Sequence, residues 1–308
     1  MTSMLSKAKI AAAAGGRPPA AVELSPEGVL AAAIPSPGQT PVYAFQPLPA
    51  GALIPGIAEP NLRAPEAVAA AIHTTLGQVS PRTRSVSLIL PDTVVRVFVL
   101  DFDSLPTKAA EAFPVLRFRL RKMVPFDVEH AGLSYQVLAE SKSECKVLAA
   151  ITPGPILAEY EAAVRAAAYE PGAVLSTSLA ALEAGSANET LEAVLGANLS
   201  HIALTTFIMN GQDLLLYRTL DLPEDPGLSL DEVRRGIAVA TAYFEDKLLA
   251  RPSRLHYAGL GGAHEFARLI GDSELEVIDL APTPDTGAVT SLGSTSIAGV
   301  AGALARAR

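Results

Sequence analysis

The chain has 308 residues, 49% hydrophobic and 18% charged. That balance excludes an intrinsically disordered chain and, at roughly 150 residues per domain, predicts two compact lobes or one large domain. Lys plus Arg number 24 against 32 Asp plus Glu, leaving a net charge of −8, which argues against a general nucleic-acid binder; the single cysteine, Cys145, excludes an internal disulfide or a zinc site.

At the N-terminus, Lys7 and Lys9 precede Ile10 to Ala14, an apolar run too short for a signal peptide, so residues 1–16 read as a disordered leader. Short strands follow. Ala21 to Leu24 and Gly28 to Ile34 flank the turn Ser25-Pro26-Glu27-Gly28, in which Pro presets one dihedral and Gly accepts a positive φ. Val42 to Pro47 supplies a third strand, and Pro47 to Pro60 is a loop. Pro65 opens a helix to Leu76 with Val68, Ala71, Ile72 and Thr75 on one face and Gly77 as its stop. Ser85 to Leu90 and Val94 to Leu100 are β-branched strands joined through Pro91-Asp92.

Thr107 to Met123 reads as a helix, because Phe113, Leu116, Leu120 and Met123 recur at helical spacing, and Pro125 stops it. Strands at Leu133 to Leu138 and Lys146 to Ile151, a helix from Pro155 to Ala168 and a strand at Ala173 to Leu175 complete a compact α/β subdomain. Gly185 to Asn198 carries little periodicity and marks the boundary. Beyond it, His201 to Met209 and Leu214 to Leu220 flank Asn210-Gly211, a strong hairpin signal. Ser229 with Glu232 reads as a capping box for a helix from Leu230 to Leu249. A strand (Leu255 to Ala258), a helix (Gly262 to Ile270), a strand (Leu275 to Ile278) and a loop from Pro282 to Gly293 follow. Ile297 to Ala305, far short of the roughly 20 residues of a membrane span, is a buried terminal helix. The two halves share strand pairs followed by a helix.

Four constellations invite a chemical reading. Gly259, Gly261 and Gly262, between a strand and a helix, could bring backbone N–H groups to an anion, although His264 stands where G-x-G-x-x-G requires glycine and no P-loop lysine is present. His264-Glu265 opens an H-E-x-x-H motif that Arg268 closes off, which removes a zinc helix. Asp101 and Asp103 share one side of an extended segment, where a magnesium pair competes with plain strand-end solvation. Arg117, Arg119, Arg121 and Lys122 form a basic cluster beside an apolar stripe, either a solvated face or a docking surface with Met123, Val124, Pro125 and Phe126. No set of catalytic residues is identifiable.

From Ser85 onward the chain resembles the type IV pilus assembly protein PilM family, within the actin-like ATPase superfamily that also contains FtsA. The resemblance rests on Leu90-Pro91-Asp92-Thr93-Val94-Val95-Arg96, Val99-Leu100-Asp101 with Leu105-Pro106, the helix ending Met123-Val124-Pro125-Phe126, and Leu133-Ser134-Tyr135-Gln136-Val137-Leu138. It continues through Pro155 to Leu182 and in the Ala/Gly-rich tail Ser296 to Arg306.

The resemblance implies an α/β, two-lobed actin-like ATPase fold with a small α/β subdomain inserted in the first lobe. The chain would divide into a leader (1–16), a first lobe (17–103), a partner-docking insert (104–178), a boundary segment (179–198), a second lobe (199–290) and a C-terminal helix returning to the first lobe (291–308). The family is cytoplasmic and binds the N-terminal peptide of the membrane protein PilN in the insert, peripheral to the inner membrane; it involves neither nucleic acid nor membrane insertion. By this resemblance the peptide would lie against Arg117, Phe118, Arg121, Met123, Val124, Pro125 and Phe126.

The family generally binds ATP with magnesium. Here Ala21 to Gly28 lacks the glycine expected near phosphate, His201 to Met209 lacks an Asp-Gly-type loop, and only Gly259 to Ala263 resembles the adenosine side. The expectation is therefore a non-enzymatic scaffold with no cofactor. An active ATPase of the same machinery and an actin-like small-molecule kinase are the alternatives.

Overall fold

The computed structural model describes residues 16–141, 143–185, 193–211, 213–271, 274–282, 284 and 287–305. The first half runs β1 (Ala20–Leu24), β2 (Gly28–Ala33), β3 (Val42–Pro47), α1 (Pro65–Val79) and β4 (Ser85–Leu90). A 3-10 turn (Asp92–Val94), β5 (Arg96–Phe102), α2 (Ala109–Leu120), β6 (Gly132–Glu140) and β7 (Cys145–Thr152) come next, followed by α3 (Gly154–Ala166), β8 (Glu170–Ser176) and α4 (Thr177–Gly185). The second half runs β9 (Ala193–Leu199), β10 (Ala203–Asn210), β11 (Asp213–Asp221), α5 (Pro226–Leu248), β12 (Arg254–Tyr257), α6 (Gly262–Ile270), β13 (Glu276–Asp279) and α7 (Ala298–Leu304).

Without the segment from the 3-10 turn to β7, each half reads three strands, helix, strand, helix, strand, helix. The sheets repeat as well: the first has the order β3-β2-β1-β4-β8 and the second β11-β10-β9-β12-β13. In each, a three-strand antiparallel meander is extended by two parallel strands. The interposed segment forms its own antiparallel sheet, β5-β7-β6, covered by α2. This small sheet takes β5 from before residue 104, whereas β8 pairs with β4 of the first sheet.

The first sheet is buried on both faces, which explains why Gly28 to Ala33 reads as one apolar run instead of alternating. Successive side chains go to opposite sides: Val22 and Leu24 join α1 and α3, while Ala21, Leu30 and Ile89 join Val300, Ala303 and Leu304 of α7. The terminal helix thus lies on the first sheet. Segment 287–290 covers the β3 edge, with the Tyr43 N–H donating to Gly287 O at 2.9 Å and the Val289 N–H to Tyr43 O at 2.8 Å. A covered edge is closed to strand addition.

Several elements depart from the sequence expectation for physical reasons. α1 runs through Gly77 to Val79, because buried Val79 completes its apolar stripe, and it ends at Ser80 in the left-handed region (φ 48). α5 begins at Pro226, not Leu230: Asp225 is the N-cap and accepts from the N–H groups of Gly227 and Leu228 at 2.9 and 3.0 Å. Residues expected to form a boundary segment include α4 and β9. Gly196, within the stretch of little periodicity, is a packing glycine in β9, since a Cβ there would stand 2.0 Å from the Phe207 ring. The leader 1–15 and residues 186–192 and 306–308 lie outside the described residues. Among the described residues, no helix is long and apolar enough to cross a membrane.

Candidate functional site

Both halves contribute corners to one cavity. The β1–β2 turn (Ser25 to Glu27), the β9–β10 turn (Ser200 to Ile202) and the β12–α6 loop (Ala258 to Leu260) line a cavity of about 730 Å³, counted with the solvent at its mouth. Pro91 to Thr93, Thr177, Thr295 and Ser296 complete the wall. Each hairpin turn is closed by a serine at its start: the Gly28 N–H donates to Ser25 O at 3.2 Å, and the Ala203 N–H to Ser200 Oγ at 3.1 Å.

Among the described residues the wall carries Glu23, Glu27 and Asp92, and no lysine or arginine. Glu23 Oε1 accepts from Thr177 Oγ1 at 3.0 Å; its Oε2 has no hydrogen-bond partner among the described residues and lies beneath α7, where a Cβ on Gly299 would stand 2.3 Å away. Burial pushes the Glu23 carboxyl up to about 7; the Thr177 bond opposes this, while the charges of Asp92 and Glu27 add to it. Burial also raises Asp92, against the hydrogen bonds from Ser178, Thr205 and Tyr217. Tyr217 is held well above its ordinary value by burial and then by the charge of Asp92. At the mouth, His201 Nε2 lies 3.5 Å from Glu27 Oε1.

Backbone donors at the β12–α6 loop are engaged within the protein. The Leu260 N–H donates to Leu199 O at 2.9 Å and the Gly261 N–H to Ser294 O at 3.1 Å. The Ala263 N–H, at the start of α6, donates to Asp279 Oδ1 at 2.8 Å. The described wall thus carries carboxyl groups and hydroxyl groups, with His201 at its mouth.

Of the three expected glycines, Gly259 stands on the cavity wall, its Cα so close to Leu199 that a Cβ would lie 2.4 Å from Leu199 N. Gly261 and Gly262 take positive φ (76 and 74) to turn the chain into α6, and neither is part of that wall. In the insert the expected docking residues separate into two groups. Val124 is buried and Phe126 partly so in the core that β5, β7 and α2 enclose, and the half-buried Arg117 donates through Nη2 to Ala131 O at 3.1 Å. Phe118 is 73% and Met123 42% exposed, and Val115, one turn before Phe118, is 37% exposed. Pro125 is exposed and Arg121 pairs with Glu129. Asp101 and Asp103 are exposed at the end of β5, with Asp101 opposite Lys146, and no metal-holding cluster occurs among the described residues.

Sequence reasoning missed Glu23, Asp92, Thr177, Asn198, Thr205 and Tyr217. Glu23 had a signal, as the one charged residue in an otherwise apolar strand. Asp92 lies in the run from Leu90 to Arg96 that carries the family resemblance, but nothing in that run marks it as a buried acceptor, because Pro91-Asp92 reads as an ordinary connecting turn.

Two α/β halves of repeated topology, facing each other across a cleft walled by both hairpin turns, constitute the actin-like ATPase fold. A chain of the PilM-PilN type IV pilus biogenesis complex aligns with 93% of this chain and 96% of its own, at a TM-score of 0.66 and 18% identity. The cytoplasmic domain of EpsL, an inner membrane component of the type II secretion system of Vibrio cholerae, aligns with 92% of each chain at a TM-score of 0.51 and 12% identity. A Bacteroides thetaiotaomicron protein of actin-like ATPase fold and unknown function aligns with 92% of this chain and 93% of its own, again at 0.51 and 12%. No protein-family model and no curated protein matches the chain. The likeness is one of fold, and it is the fold that the residues from Leu90 to Leu138 led us to expect.

Proposed function

We propose that this protein is a non-enzymatic scaffold of a type IV pilus or related secretion machine, and that it binds the cytoplasmic N-terminal peptide of a PilN-like inner-membrane protein. On this reading it is cytoplasmic and reaches the membrane only through that partner. The observation that carries the reading is the exposed side of α2, where Phe118 stands 73% exposed one turn after the 37% exposed Val115 and before the 42% exposed Met123 of the following turn, within a helix and turn that also carry exposed Arg119, Arg121 and Lys122. A large apolar side chain left in water on a basic face is a common setting for an interface anchor. Val124, Phe126 and Arg117 hold the insert together beneath it.

The experiment is titration of a PilN-like N-terminal peptide against the full chain. Phe118→Glu and Met123→Glu change exposed side chains and should leave the fold intact while weakening binding by about 10- to 100-fold, the effect of losing roughly 1.4–3 kcal/mol at an anchor. Unchanged affinity in both variants removes this surface.

The ATPase alternative meets a physical obstacle in the cleft. A triphosphate would sit against Glu23, Glu27 and Asp92 with no lysine or arginine among the described residues of the wall to offset its charge. Calorimetry with Mg-ATP should register no binding; micromolar affinity with turnover would replace the scaffold reading by the ATPase one.

A further inference from the structure

A buried polar cluster joins the two halves. Asp92 stands just beyond β4 of the first half, whereas Asn198, Thr205 and Tyr217 stand on β9, β10 and β11 of the second. Asp92 accepts from Ser178 N and Oγ at 3.0 and 2.5 Å, Thr205 Oγ1 at 2.9 Å, and Asn198 Nδ2 and Tyr217 OH at 3.3 Å each. All five residues are less than one-tenth exposed. Five neutral donors thus converge on one carboxylate that is only 9% exposed, three of them from the second half, and rotating one half against the other would strip those three from it. Two further contacts tie the insert to the second half. Arg96 on β5 makes a two-pronged contact with Asp221 at the end of β11, at 3.3 and 2.9 Å. Val97, Val99 and Leu148 pack against the cluster of Phe207, Leu214 and Tyr217.

We infer that Asp92 is an interlobe latch: it fixes the two halves in one orientation, so that the protein acts as a rigid body and not through opening and closing of its cleft. This does not depend on which partner docks on α2.

The test places spin labels at Glu66→Cys on α1 and Asp246→Cys on α5, both exposed sites, in the full chain with Cys145→Ala. The parent should give one narrow distance distribution. Asp92→Ala should broaden and shift it while the circular dichroism spectrum keeps its helix signal, and Thr205→Val and Tyr217→Phe should broaden it less. Leu88→Ala, in the core of the first sheet, should lower the melting temperature and leave the distance narrow. A parent-like distribution in folded Asp92→Ala overturns the latch. Should that variant fail to fold, unbroadened distributions in both Thr205→Val and Tyr217→Phe overturn it equally, as does broadening by Leu88→Ala as large as theirs.

Discussion

The carboxyl of Glu23 enters the interior on an apolar strand, finds one hydroxyl donor in Thr177, and meets two further carboxylates instead of a cation. Its proton is therefore retained in the folded chain over a range where the unfolded chain has lost it. With the value raised from 4.5 to about 7, its favourable contribution is complete below the unfolded value and fades as pH rises through the folded one. Full ionisation above that range costs roughly 3 kcal/mol. Glu23→Gln keeps the shape and removes the charge, so its stability advantage over the parent should be small near pH 5 and largest near pH 8. Thermal melts across that range check this, with Glu27, Asp92 and His201 as the other titratable groups on the wall. An advantage that stays constant from pH 5 to 8 would refute the assignment.

At the level of elements, periodicity found nearly every helix and strand but misjudged several ends, because an end depends on what the last turn touches. Gly77 carries the local signal for a stop, yet the burial of Val79 outweighs its propensity cost of roughly 1 kcal/mol. Ser229 and Glu232 mimic a capping box, but Asp225 and Pro226 start α5 about one turn earlier. Replacing Asp225 by Ala should therefore cost about 1 kcal/mol in urea unfolding, and Ser229→Ala should cost no cap. The opposite ranking would restore the later start. β9 was hidden for a related reason: Gly196 carries no strand propensity of its own, and its place is set by the Phe207 ring across the ladder.

Across the whole molecule, the chain repeats one α/β plan and interposes a third sheet in the first copy, which places an exposed basic and apolar helix on a body joined at Asp92. Composition and periodicity alone determined the α/β class, the existence of most elements and the compact unit around α2, since these follow from side-chain spacing within a few residues. The ordered residues from Leu90 to Leu138 also pointed to the actin-like fold. Only the tertiary structure decided which strands pair beyond the two hairpins, which residues of α2 face water, and which groups donate to Asp92. Its partners stand 86 to 125 residues away along the chain, and no local pattern encodes a hydrogen bond between groups that meet only after both sheets have formed.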